Sequence, residues 1–141
     1  MHLKIKEVQN MKMFTIYTSV VAIIIMSIAP ASAYKVTLVN TTPYEIRVDA
    51  CGEHLFWRDH VDASVTVSKR STGSCSLPEG ICIYMVIFNY TGIHTDGNAV
   101  KEYPFTIYEK ASDSGFCVCH DLQWKAVQDA ADSIGVVFKR E

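Results

Sequence analysis

Positive charge is in short supply in this sequence. Its 13 Lys and Arg face 15 Asp and Glu, which excludes electrostatic nucleic-acid binding, a chemistry that needs a basic patch against phosphate. Catalytic signatures are missing too. There is no G-x-S-x-G elbow, no H-E-x-x-H, no glycine-rich phosphate loop and no G-x-G-x-x-G, so none of the enzyme classes those motifs mark is indicated. No internal repeat, heptad or low-complexity tract occurs. No apolar run reaches the roughly 20 residues of a membrane-spanning helix. Disorder is excluded by an apolar content of 49 %.

The longest apolar run is Phe14 to Ile28, behind Lys4, Lys6 and Lys12 and ahead of Ala31-Ser32-Ala33. A basic start, an apolar centre and an A-x-A site read as a secretory signal peptide, residues 1–33, cleaved after Ala33. A start at Met11 or Met13 would give a leader of more usual length. The expected mature domain, 34–141, holds 10 basic and 14 acidic side chains, a net charge of −4. It would be secreted, periplasmic or held at the cell surface, with no membrane span left after cleavage.

Beyond Tyr34 the pattern has period 2. Tyr44, Ile46, Val48 and Ala50 alternate with Glu45, Arg47 and Asp49, a spacing that buries one face of a strand and wets the other. With Tyr34–Val39 and the turn cluster Asn40-Thr41-Thr42-Pro43 it predicts a hairpin. Ile81–Phe88 (ICIYMVIF) is apolar on both faces and predicts a central strand. Asn89–Tyr103, with Gly92, Asp96, Gly97 and Asn98, reads as a long exposed loop carrying Tyr90 and His94. Pro104–Lys110, Phe116–His120 and Ile134–Lys139 read as further strands, with Pro104 suited to an edge. Residues 121–134 fit a short C-terminal helix or a strand equally well. The expected fold is all-β, a small antiparallel β-sandwich of six to eight strands.

Five cysteines remain after the leader: Cys51, Cys75, Cys82, Cys117 and Cys119. Export implies an oxidising compartment where disulfides persist, and an odd number leaves at least one unpaired. A Cys75–Cys82 bridge would clip the turn between them, leaving Cys51 to join Cys117 or Cys119. Cys117 and Cys119, two apart, would project to one side and compete for one partner. The leftover thiol would then sit beside a disulfide, which invites exchange.

Cys117-Val118-Cys119-His120 is one residue short of the C-x-x-C-H haem-attachment signature. Its thiolates and imidazole would also suit zinc or copper, with His54, His60 and His94 as further ligands. The densest polar-aromatic cluster is Trp57-Arg58-Asp59-His60-Val61-Asp62, where Trp57 could offer a flat face and Arg58, Asp59, His60 and Asp62 polar contacts to a partner. Asn40-Thr41-Thr42 and Asn89-Tyr90-Thr91 match the N-glycosylation sequon.

Val36-Thr37-Leu38-Val39-Asn40-Thr41-Thr42-Pro43-Tyr44 resembles the first strand of secreted β-sandwich proteins, thaumatin-like ones included, although their dense cysteine framework is missing. The function expected from all this is binding or assembly rather than catalysis. A protein partner or a second copy would be met at strand edges, with the N-terminal strand free to pair with a neighbour. The alternative is a metal- or haem-binding redox protein centred on Cys117, Cys119 and His120. A carboxylate hydrolase drawing on Glu45, Asp49, Glu53, Asp59 and Asp62 is a third reading.

Overall fold

A computed structural model describes residues 32–54 and 60–141. The expected leader lies almost wholly outside the described residues, as do Trp57, Arg58 and Asp59. Eight strands follow in order: β1 (Lys35–Asn40), β2 (Ile46–Gly52), β3 (Val61–Val67), β4 (Thr72–Ser76), β5 (Ile83–Asp96), β6 (Ala99–Lys110), β7 (Leu122–Gln128) and β8 (Val136–Arg140). They form two four-stranded sheets, β4-β1-β7-β8 and β3-β2-β5-β6. This is the β-sandwich that the period-2 alternation predicts. The two readings of 121–134 resolve to a strand: Leu122, Trp124 and Ala126 are buried at period 2.

The core fills the space between the sheets. Val36 and Leu38 of β1 meet Ile46 and Val48 of β2 and Val86 and Phe88 of β5 in one cluster. Aromatic rings form its centre. Phe88 stacks on Phe138 at 4.1 Å and meets the edge of Trp124 at 5.8 Å. Tyr90 stacks between Tyr44 and Phe105, and such pairs add to simple area burial. Tyr90, expected in a solvated loop, is therefore a core residue. Its hydroxyl accepts the Val136 N–H and donates to the Ile134 carbonyl. Tyr44 donates to the Ser133 carbonyl. Both tyrosines thus tie the 129–135 turn to the barrel of rings beneath it.

Three expectations need correcting. β1 and β2 do not make a hairpin; they lie in different sheets. The cause is Asn40. Its amide donates to the Tyr44 carbonyl at 2.7 Å and the Ser68 carbonyl at 3.1 Å, and its side-chain carbonyl accepts from the Thr42 N–H and hydroxyl. These bonds carry the chain across the sandwich instead of back along β1. Secondly, β1 is no free donor strand. It pairs antiparallel with β4 on one side and parallel with β7 on the other. Thirdly, Asn89–Tyr103 is not a loop. β5 and β6 stay in register from Met85↔Lys110 to Asp96↔Ala99, closed by Gly97-Asn98. Gly97 has φ +62°, a conformation in which glycine avoids the steric cost of a Cβ.

Pro104 lies within β6, an edge strand, where a missing N–H is tolerated. Phe116–His120 makes a single bridge, Ile83↔Val118, rather than a strand. Asn40 is 1 % exposed with its amide fully engaged, so this fold has no room for a glycan there.

Candidate functional site

Alternation in β2 sends Ile46, Val48 and Ala50 into the core and Arg47 and Asp49 to the outer face of their sheet. There the side chains organise around Asp49. Its Oδ1 accepts from Arg47 Nε at 2.9 Å and Ser64 Oγ at 2.7 Å, and its Oδ2 from Asn89 Nδ2 at 3.4 Å. Asn89 Oδ1 in turn accepts from Thr106 Oγ1 at 2.8 Å. One network therefore links all four strands: Ser64 on β3, Arg47 and Asp49 on β2, Asn89 on β5 and Thr106 on β6. The three donors cover the carboxylate, which is buried although it faces outward. Held this way, the polar atoms lose little freedom when something docks on them. A groove of about 510 Å³ runs over the same face, lined among others by Arg47, Thr66, Asn89, Thr91, Ile93 and Thr106.

Beyond the groove, the β5–β6 ribbon extends out of the core. Its register places Ile93, Val100 and Tyr108 on the same side as Asn89 and Thr106. They are 50 %, 63 % and 65 % exposed. Along that face Tyr108, opposite Ile87, lies inward of the Asn89–Thr106 pair, and Ile93 and Val100 lie outward of it, so exposed apolar groups flank a polar pair on one surface, a mixture that suits an interaction site.

Of the Trp57–Asp62 cluster, His60, Val61 and Asp62 are within the described residues. Asp62 is not a contact residue in waiting. Its Oδ2 accepts the Gly52 N–H at 2.8 Å, and both oxygens lie within 2.9 Å of His54 Nε2. His60 meets His54 edge-on at 5.6 Å. The group fastens the end of β2 to the start of β3. Space is tight here: a Cβ on Gly52 would collide with Ile81 and Asp62.

The cysteines pair differently from the sequence expectation. Cys82 bonds Cys119, not Cys75. The bridge Ile83↔Val118, with both N–H···O bonds formed at 2.7 and 2.8 Å, sets the register. It places Cys82 directly opposite Cys119, with Cα atoms 4.5 Å apart, the spacing of a non-hydrogen-bonded antiparallel pair. Cys75 is committed elsewhere, opposite Val36 in β4. Burial pushes its thiol up to about 11, and the Asp49 carboxylate adds to the effect. Cys51 is fully buried in β2, away from the joining role expected of it. Cys117 and Cys119 gather around Cys82 rather than Cys51: the three sulfurs lie within 4.8 Å of one another. His120 does not belong to that group. Its Nδ1 pairs with the Asp121 carbonyl at 2.9 Å. Two of the three sulfurs are spent in a disulfide, so the residues present do not fit a thiolate–imidazole metal or haem site in this oxidised form.

Sequence reasoning missed the Asp49 network. Arg47 and Asp49 were legible as a wet face, but Ser64, Asn89 and Thr106 join them only through strand order. No family model, curated protein or solved structure matches this chain.

Proposed function

We propose that this chain is an exported, non-enzymatic binding protein that engages a protein partner on the outer face of the β3-β2-β5-β6 sheet. The observation that carries the reading is the juxtaposition of two surfaces. Exposed Ile93, Val100 and Tyr108 share one face of the β5–β6 ribbon, and Asn89 and Thr106 of the hydrogen-bonded Arg47–Asp49–Asn89–Thr106 surface lie between Tyr108 and the Ile93/Val100 end. Tyrosine and arginine on such a mixed polar and apolar surface suit a protein contact. The basic, apolar and A-x-A segments of residues 1–33 support export, and a disulfide is at home in an oxidising compartment.

Affinity capture from the medium around the producing cells tests this, with wild type beside a Val100→Glu/Tyr108→Ser double variant. The expected result is a partner retained by wild type and reduced at least tenfold by the variant. Equal retention by both, or turnover of the captured molecule, would sink the reading.

A further inference from the structure

The third sulfur beside the disulfide gives the fold a chemistry separate from partner binding. Val118 is pinned to Ile83 by two backbone hydrogen bonds, and Cys117 and Cys119 flank it. Both therefore turn towards Cys82, one directly opposite and one on the diagonal. Cys117 is a half-buried thiol, Cys82 a half-buried disulfide sulfur and Cys119 an exposed one. Thiol–disulfide exchange needs a thiolate within reach of a disulfide sulfur and a leaving sulfur that can depart. All three sulfurs within 4.8 Å meet the first condition. The exposure of Cys119 meets the second.

We propose that Cys82, Cys117 and Cys119 form a disulfide-exchange site that accepts low-molecular-weight disulfides through Cys119. In the first step the Cys117 thiolate attacks Cys82 Sγ. The Cys117–Cys82 bond forms, the Cys82–Cys119 bond breaks, and Cys119 leaves as a thiolate. The step is redox-neutral and moves one proton from Cys117 to solvent. In the second step the Cys119 thiolate attacks an external disulfide, R–S–S–R. It forms Cys119–S–S–R and expels RS⁻. The internal bond has then moved, and the outer position carries the modification.

The geometry also says which isomer dominates. A diagonal pair sits farther apart than an opposite one, near the limit a disulfide can span. Cys82–Cys119 is thus the resting bond, and Cys82–Cys117 forms by a slip of the segment around Val118, which a single bridge holds. Cys75 does not compete, since it lies in β4 opposite Val36, outside the three-sulfur group, and burial raises its thiol as well.

The test uses oxidised glutathione on the native protein, followed by acid quenching, peptic digestion at acid pH and fragmentation between residues 117 and 119. The expected product carries glutathione on Cys119 with Cys82 joined to Cys117. Cys117→Ser should keep the Cys82–Cys119 bond and lower the adduct at Cys119 at least tenfold. Cys119→Ser provides a second check: its Cys82 and Cys117 should be found joined. Glutathione on Cys117 with the original bond intact, no adduct at all, or an unjoined Cys82 and Cys117 in Cys119→Ser would overturn the proposal.

Discussion

Asn40 decides a large part of this structure with one side chain. It is buried with two carbonyls to serve and two donors of Thr42 to accept. Asn40→Ala would leave those groups unpaired in the interior, and each unsatisfied buried polar group costs about 1–3 kcal/mol. We expect urea unfolding to show a loss of at least about 2 kcal/mol; a change under about 0.5 kcal/mol would mean that the crossover is held elsewhere. In the sequence, Asn40-Thr41-Thr42-Pro43 reads as a turn because these residues favour turns. Nothing local tells a turn that reverses a strand from one that crosses to another sheet. That distinction lies in Ser68, 28 positions away. The same is true of Asp49. Its charge was legible, but its burial depends on Ser64 and Asn89. Tyr90 shows the reverse error: between polar neighbours it reads as loop, whereas burial pushes its hydroxyl above its ordinary range and it works as a core ring with a hydrogen-bonded tip.

Among the elements, the β5–β6 ribbon separates most clearly into two parts. Up to Tyr90 and Phe105 it belongs to the core; from Ile93 to Tyr103 every residue is exposed. Deleting the pairs His94↔Lys101 and Thr95↔Val100 keeps the Asp96–Ala99 turn and shortens each strand by two. An even deletion preserves which side chains face which way. We expect unfolding free energy to stay within about 0.5 kcal/mol of wild type, as for surface changes away from buried groups, while partner capture falls with the loss of Val100. A drop above about 2 kcal/mol on urea unfolding would make the arm structural instead. This element was the least legible one, although Gly97-Asn98 is a two-residue hairpin signal. Gly92 and the polar run around it outweighed the alternation. By contrast, β2 and the inner half of β5 were plain, because apolar residues at period 2 admit few other readings. Segment 121–134 was undecidable alone, as apolar spacing fitted both periods until Trp124 found Phe88 across the core.

For the whole molecule, one covalent link spans 37 residues, from Cys82 to Cys119. On the chain-entropy account, closing a loop of that length stabilises by roughly 4 kcal/mol. We expect reduction to lower unfolding free energy by about that amount while leaving the sandwich folded, since the core does not include the bridge. A loss below about 1 kcal/mol, measured by urea titration with and without reductant, would contradict this. The sequence pointed to disulfides through cysteine number and export, but the partners follow from the Ile83↔Val118 register, which no spacing reveals. Sheet composition has a second effect, on the order of events in biosynthesis. All strands of the β3-β2-β5-β6 sheet lie between Ile46 and Lys110, so they can join while the chain is still growing. β1 cannot finish its own sheet so early, because its parallel neighbour begins at Leu122. Until then Val36 and Leu38 wait beside a vacant strand position, and long-range closure of this kind is slow. A nascent or truncated polypeptide lacking β7 would therefore expose a sticky apolar row at its front end, the sort of surface that chaperones and proteases recognise.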